Sequence, residues 1–239
     1  VISTVQLLFS QMGGAFTSSF GNLATENDKK RMYSVYRKSC FVMNSLAFIC
    51  CAGFIACIQD FIYIVFGSNF VLSFSCVLIL VFSMLIYLLD IPIISVQNAM
   101  GLHRCDAGVM IIQAVLAIAC GYGAGKVWGM EGILLGLTIP TVIFTFIHKG
   151  IVISKVAFEV TSYKYLKDMG SDLIKGIVII GVISAICNCI PAWNPVIAMI
   201  LKGILSVIIS GILIIAFSFK SEYFKETLAM LMRVLKLQK

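Results

Sequence analysis

Asp90 lies within a long apolar stretch, where a carboxyl group is able to bind a proton or a cation. The alternative is a structural role, in which polar neighbours such as Gln97 and Asn98 hold the acid and join helices. Pro92, two residues further on, removes a backbone donor and frees the carbonyl of Leu88, so we expect the helix to bend beside the acid. Both interpretations of Asp90 stay open at this point.

The first 23 residues carry an unusual number of polar side chains for an apolar segment. These polar residues are Ser3, Thr4, Gln6, Ser10, Gln11, Thr17, Ser18, Ser19 and Asn22. Such a helix is expected to line an aqueous cavity or to form hydrogen bonds with neighbouring helices, because lipid satisfies no polar group. Gln6, Gln11 and Asn22 are therefore candidate residues of a substrate or ion pathway.

Lys202 is the only basic residue inside an apolar stretch, and it is also a pathway candidate. It lies close enough to the end of its stretch to extend its ammonium group toward the surface. Pro140 should bend another apolar helix for the same backbone reason as Pro92.

No metal or nucleotide site is predicted. The nine cysteines fall mostly in apolar stretches without the spacing of zinc ligands, and His103 and His148 are far apart. The run from Gly121 to Lys126 lacks the first glycine of a phosphate loop, and Val127 stands where Ser or Thr would bind magnesium. Its glycines instead predict a tight helical hairpin.

The composition requires an apolar solvent around these residues. Of the 239 residues, 60% are apolar and only 12% are charged, about half the roughly 25% of soluble domains. A soluble globule is excluded, and an all-α membrane protein with about seven transmembrane helices is predicted. The predicted spans are Val1 to Leu23, Cys40 to Ile58, Val71 to Ala99, Ala107 to Ala124, Gly129 to Ile147, Leu173 to Ile190 and Val196 to Phe219.

The basic residues predict the orientation of these spans. When alternate loops are assigned to the two sides, all but Lys126 and Lys202 of the 18 Lys and Arg residues fall on one side. The positive-inside rule makes that side, and the C-terminus, cytoplasmic. The net charge of +7 then faces anionic lipid and requires no nucleic-acid partner.

Two charged segments and the N-terminal end complete the domain prediction. Residues 155–169 and 220–239 are too charged to span and are expected to be helices in the headgroup layer, the second as an amphipathic cytoplasmic tail. An odd number of spans, together with no initiator Met and no leader, suggests the C-terminal part of a longer protein.

Several short stretches resemble bacterial polysaccharide flippases. The polar helix, the basic loop after it and the later motifs occur in the same order as in flippases for O-antigen and capsule units, and the likeness covers nearly the whole chain. These stretches are Ser10 to Ala24, Glu26, Tyr33 to Lys38, Ile64 to Gly67, Asn98 to Arg104 and Val127 to Ile133. Such flippases belong to the multidrug/oligosaccharidyl-lipid/polysaccharide exporter superfamily.

This resemblance implies the C-terminal lobe of a two-lobe transporter of the multidrug-exporter (MATE-like) type in the bacterial inner membrane. The substrate would be a polyprenyl-pyrophosphate-linked oligosaccharide, moved by alternating access without covalent chemistry or a cofactor. Asp90 would bind a coupling proton or sodium ion, and Arg104 would attract the diphosphate. Expected partners are the missing N-terminal lobe, membrane lipid, and a polysaccharide polymerase with glycosyltransferases.

Three alternatives stay open. A cation-coupled multidrug exporter of the same superfamily would need acids in its cavity, and the chain offers one candidate. A membrane-embedded glycan polymerase or ligase would need a large outer loop, whereas the outer connections here are short. A non-catalytic accessory subunit is the third alternative.

Overall fold

Helices form every regular element that the structure, a computed structural model, describes. It describes residues 1–26, 28–102, 107–158, 160–190 and 194–219, and no strand occurs in these ranges. The helices are α1 (Ile2–Glu26), α2 (Lys29–Phe66), α3 (Phe74–Met100), α4 (Ala107–Val142), α5 (Gly150–Ala157), α6 (Ser162–Asn188) and α7 (Pro195–Ser218). A 3-10 turn (Ser68–Phe70) precedes α3, and a π-helical segment (Ile143–Lys149) joins α4 to α5. The all-helical prediction is confirmed.

Five helical stretches are long and apolar enough to cross a membrane, as expected of a membrane protein. They are Lys29–Phe66, Phe74–Met100, Gly108–Ala157, Ser162–Asn188 and Pro195–Ser218. The polar α1 is not among these five, although its 25 residues would extend about 37 Å. The polarity that the sequence predicted for this segment therefore sets it apart from the other long helices.

The helix α4 reverses direction at Gly129, whose φ of 60° and ψ of −134° are not helical. Gly136 packs against the backbone of Gly121, and Gly132 packs against that of Ala124. In a straight helix, residues 121 and 136 would lie about 22 Å apart. The predicted glycine-packed hairpin is confirmed, because only glycine lets two backbones approach this closely.

A π-helical segment follows the hairpin and shifts the buried face of the chain. The buried residues Thr138 and Thr145 are seven positions apart, as on one face of an α-helix, but the next buried residue is Gly150. Beyond it the α-helical spacing returns: Ile153 is three positions after Gly150, and Ala157 is four positions after Ile153. The wider π turn therefore rotates the following residues onto the face that contacts α6.

The bundle has two distinct ends. At one end, which we call the basic end, the ring of Phe158 lies 5.2 Å from that of Tyr33, so α2 begins where α5 has just ended. At the opposite end, the turn end, the Ser73 hydroxyl donates to Glu131 at 2.7 Å, which joins the start of α3 to the hairpin. A large apolar cluster of α2, α3 and α6 fills the interior between them.

The structure differs from the sequence prediction at the basic end. The segment 155–169 is not a separate surface helix: its first residues end α5 and its last residues belong to α6. α2 and α6 begin 11 residues before their predicted spans, at Lys29 and Ser162. These added turns are helical because they pack on each other through Tyr33, Tyr36 and Tyr165. The predicted tail, 220–239, lies outside the described residues.

Candidate functional site

The Asp90 carboxylate forms an ion pair with Lys149 inside the bundle. Lys149 Nζ donates to Asp90 Oδ2 at 2.5 Å, and the two side chains are only 13% and 8% exposed. The sequence suggested Gln97 and Asn98 as neighbours on the same helix, whereas the charge partner comes from the π-helical segment. The opposite charges of the pair compensate each other inside an apolar bundle.

Two different helical features bring this pair together. Asp90 lies ten residues before the end of α3, about 15 Å along the helix, and α3 continues past Pro92 to Met100. Lys149 is the last residue of the π-helical segment, whose wider turn sets the direction of its side chain. The pair therefore depends on the register shift that precedes it.

A second charged cluster lies between α2 and α6. Arg37 Nη1 contacts Asp172 Oδ2 at 2.9 Å, with each side chain 12% exposed. Asn44 Nδ2 donates to the same Asp172 oxygen at 3.2 Å, and Lys175 lies 3.2 Å from the other oxygen. Asp172 therefore holds three polar groups of two helices in one arrangement.

Two buried tyrosines lie near both charged groups. The Tyr36 hydroxyl donates to that of Tyr165 at 3.3 Å, and both rings are almost fully buried. Tyr165 packs against Gly150, the residue after Lys149, while Tyr36 precedes Arg37. We call the groups Asp90–Lys149, Tyr36–Tyr165 and Arg37–Asp172 the polar belt. It crosses the bundle interior in the half nearer the basic end.

A further ion pair lies toward the turn end. Lys202 Nζ contacts Asp60 Oδ2 at 2.8 Å, and these side chains are 13% and 14% exposed. The sequence analysis expected this ammonium group to extend toward the membrane surface; the structure places a carboxylate of α2 beside it. The pair joins α7 to α2 across 142 positions of sequence.

The polar residues of α1 lie on its outward face. The buried positions are Phe9, Gly13, Phe20 and Leu23, which pack on the bundle. The exposed positions with polar or small side chains include Ser3, Thr4, Ser10, Gln11, Gly14, Ser18, Ser19 and Asn22. Gln6 is half-buried. Leu7 and Leu8, both 60% exposed, interrupt this stripe. From Ser10 to Asn22 every exposed residue is polar or small, and we call this part of the helix the α1 polar face.

The remaining predicted site residues are placed as follows. Pro140 is buried three residues before the π-helical segment, where a proline and a wide turn both change the helix direction. Arg104 lies outside the described residues.

Sequence reasoning missed Lys149, Asp60 and Asp172 as partners. Each stands at the edge of an apolar run, where a charge is ordinary, and its partner is 59 to 142 positions away. No local pattern marks these pairings, because each one depends on a contact between elements that are far apart in the chain.

Three comparisons, with protein-family models, with curated proteins and with solved structures, find nothing that matches this chain.

Proposed function

We propose that the chain is one lobe of a membrane transporter that moves a polyprenyl-pyrophosphate-linked oligosaccharide across the bacterial inner membrane by alternating access. With α1 and the two arms of α4 counted separately, it crosses the membrane seven times. It forms the C-terminal lobe beside a second lobe. The basic end faces the cytoplasm under the positive-inside rule, and the C-terminus lies on the same side.

The α1 polar face is the observation that carries this proposal. A stripe of hydroxyl, amide and small side chains runs from Ser10 to Asn22, along about 18 Å of helix on the outside of the bundle. Hydrocarbon satisfies none of these groups, whereas a water-filled cavity between two lobes satisfies all of them. Sugars offer the hydroxyl groups that Ser, Gln and Asn side chains bind.

By contrast, α7 presents an apolar face. Its outward residues include Ile197, Ile200, Ile204, Ile208 and Ile212, all more than half exposed. A face of this composition is suited to lipid. The bundle therefore has one side suited to a polar cavity and another suited to the bilayer.

The polar belt supplies a coupling element for the transport cycle. Asp90 and Lys149 are neutral together, so a proton or sodium ion that binds Asp90 would release Lys149. A free ammonium group in apolar surroundings would favour a rearrangement that solvates it or gives it an anionic partner. Since the pair joins α3 to the π-helical segment, its opening would let these elements move apart.

Asp90→Asn in the full-length protein tests the coupling role. We expect lipid-linked repeat units to accumulate on the inner leaflet, as they should when the gene is deleted. The matched control is Glu26→Gln, which removes an acid from an exposed ion pair with Arg31. Polymer export that stays undiminished in Asp90→Asn at every pH tested would contradict the role of Asp90.

Cysteine labelling tests the aqueous cavity independently of transport. In a variant without the nine native cysteines, a cysteine at Ser18 should react with a membrane-impermeant maleimide, and one at Ile204 should not. Equal protection of both positions would contradict a water-filled space along α1.

A further inference from the structure

One turn of α3 lies between the Asp90–Lys149 ion pair and α1. Successive residues of a helix project about 100° apart, so Ile91 projects in a different direction from Asp90. Ser95, four residues after Ile91, lies on the same side of α3 as Ile91. Both residues are buried next to Gly13 of α1. The turn that carries the acid is therefore the turn on which α1 packs.

The helix α1 approaches α3 closely at Gly13. A Cβ added to Gly13 would lie 2.6 Å from Ile91 Cγ2 and 2.9 Å from Ser95 Oγ, so the two helices are in direct contact here. Phe9 and Phe20 are buried on either side of this point, in two different apolar clusters. Because packed interiors are dense and transmit strain, a displacement of this turn of α3 displaces α1 as well.

The Ser95 hydroxyl has two acceptors within hydrogen-bond distance. Its oxygen lies 2.9 Å from the carbonyl oxygen of Gly13 and 3.0 Å from the carbonyl oxygen of Ile91 on its own helix. A hydroxyl group has a single proton to donate. That proton is able to bridge the two helices or to stay within α3, so a separation of α1 from α3 leaves the donor satisfied.

The Gly13 carbonyl also keeps a partner when Ser95 withdraws. The Thr17 hydroxyl, one turn further along α1, donates to this carbonyl at 3.2 Å. A buried polar group that loses its only partner is costly, and neither group of this contact loses its only partner. The contact thus has two arrangements that both satisfy its polar groups, which is the property of a two-state element that couples distant sites.

We propose that Ser95 is a positioning residue that couples the ionic state of Asp90 to the α1 polar face. With the Asp90–Lys149 pair closed, the Ser95 hydroxyl donates to Gly13 and holds α1 against α3. When Asp90 is neutralised and the pair opens, this turn of α3 shifts, the hydroxyl donates to Ile91 alone, and α1 moves relative to the bundle. The inference rests on the proposed function, in which Asp90 binds the coupling ion and α1 lines the substrate cavity.

Cysteine accessibility on α1 tests this coupling. In the full-length protein without its native cysteines, Ser18→Cys reports the state of the α1 polar face through its rate of reaction with a membrane-impermeant maleimide. Asp90→Asn imitates the neutral acid, and we expect it to change this rate at least about threefold, the effect of a modest coupling between two sites. Ser95→Ala should abolish this response to Asp90→Asn.

The matched control is Ser210→Ala. Ser210 is equally buried on α7, and its hydroxyl donates within its own helix to the Val207 carbonyl at 3.1 Å. Its loss should leave the response to Asp90→Asn intact. Ser95→Ala should fold, because alanine favours a helix more than serine does, and the unfolding temperature in detergent checks this. Gly13→Ala, which separates the same two helices by its added Cβ, is a second variant that should abolish the response.

A purely structural role of Ser95 would change the labelling rate by the same factor with and without Asp90→Asn, and this result would overturn the coupling. Equal effects of Ser95→Ala and Ser210→Ala would overturn it too. So would a rate that Asp90→Asn leaves unchanged although Ser18→Cys reacts. By contrast, no reaction of Ser18→Cys in any variant would contradict the cavity along α1, and with it the proposed function on which the coupling rests.

Discussion

Lys149 and Asp90 form a buried ion pair that joins the π-helical segment to the middle of α3. The two residues are 59 positions apart. α3 contains no basic residue and the π-helical segment contains no acidic residue, so each charge finds its partner only on the other element. The pair therefore links the hairpin region of the chain to the interior of the bundle. The first prediction follows from this link.

Removing one member of the pair should destabilise the protein more than removing both. Asp90→Asn or Lys149→Gln leaves one uncompensated buried charge, which costs about 3 kcal/mol, whereas the double variant leaves none. Thermal unfolding in detergent, analysed as a double-mutant cycle, measures the coupling. Additive effects of the two substitutions would contradict a direct ion pair.

Gly136→Ala should open the α4 hairpin. A Cβ at this position meets the backbone of Cys120 and Gly121, which cannot move aside as a side chain can, so we expect a loss of about 1 to 3 kcal/mol. The matched control is Gly123→Ala in the same hairpin, where no atom lies within 4 Å of an added Cβ. The unfolding temperature should fall in Gly136→Ala but not in Gly123→Ala. An equal change in stability of both variants would show that the effect comes from replacing glycine by alanine in a helix and not from close packing.

Gly13→Ala should loosen α1 from α3. The added Cβ would lie 2.6 Å from Ile91 Cγ2 and 2.9 Å from Ser95 Oγ, the hydroxyl that donates to the Gly13 carbonyl. Gly14→Ala is the control, since nothing lies within 4 Å of a Cβ there. Protease sensitivity of the connection between α1 and α2 reports the change, and it should increase in the first variant only.

Lys202 should be protected from water-soluble amine reagents. Its ammonium group is bound by Asp60, whereas Lys126 is exposed in the first arm of the hairpin, near the same end of the bundle. Mass spectrometry of the labelled protein should therefore show modification of Lys126 well before Lys202. Asp60→Asn should speed the labelling of Lys202. Equal labelling rates of the two lysines in the unmodified protein would contradict a buried ion pair of Lys202 with Asp60.

The sequence identified Asp90 because a charge interrupts an apolar run there, and it identified the hairpin because glycines recur at short intervals. Both signals are local. The partner Lys149 was not predictable in the same way, because the π turn changes the helical period by one residue and no local pattern marks it. The pairs of Lys202 and Arg37 depend on contacts between helices far apart in the chain, which periodicity does not encode.

The order of synthesis gives the contact between α1 and α3 a further consequence. α1 leaves the ribosome before α3, and it packs chiefly on α3. Its polar face makes it a poor substrate for lateral release into lipid by the insertion machinery. α1 therefore has to remain in the translocation channel, or at its edge, until α3 has been made and offers Ile91 and Ser95 as a docking surface. Membrane integration of these helices is thus a delayed, cooperative event in which α1 is secured only after α3.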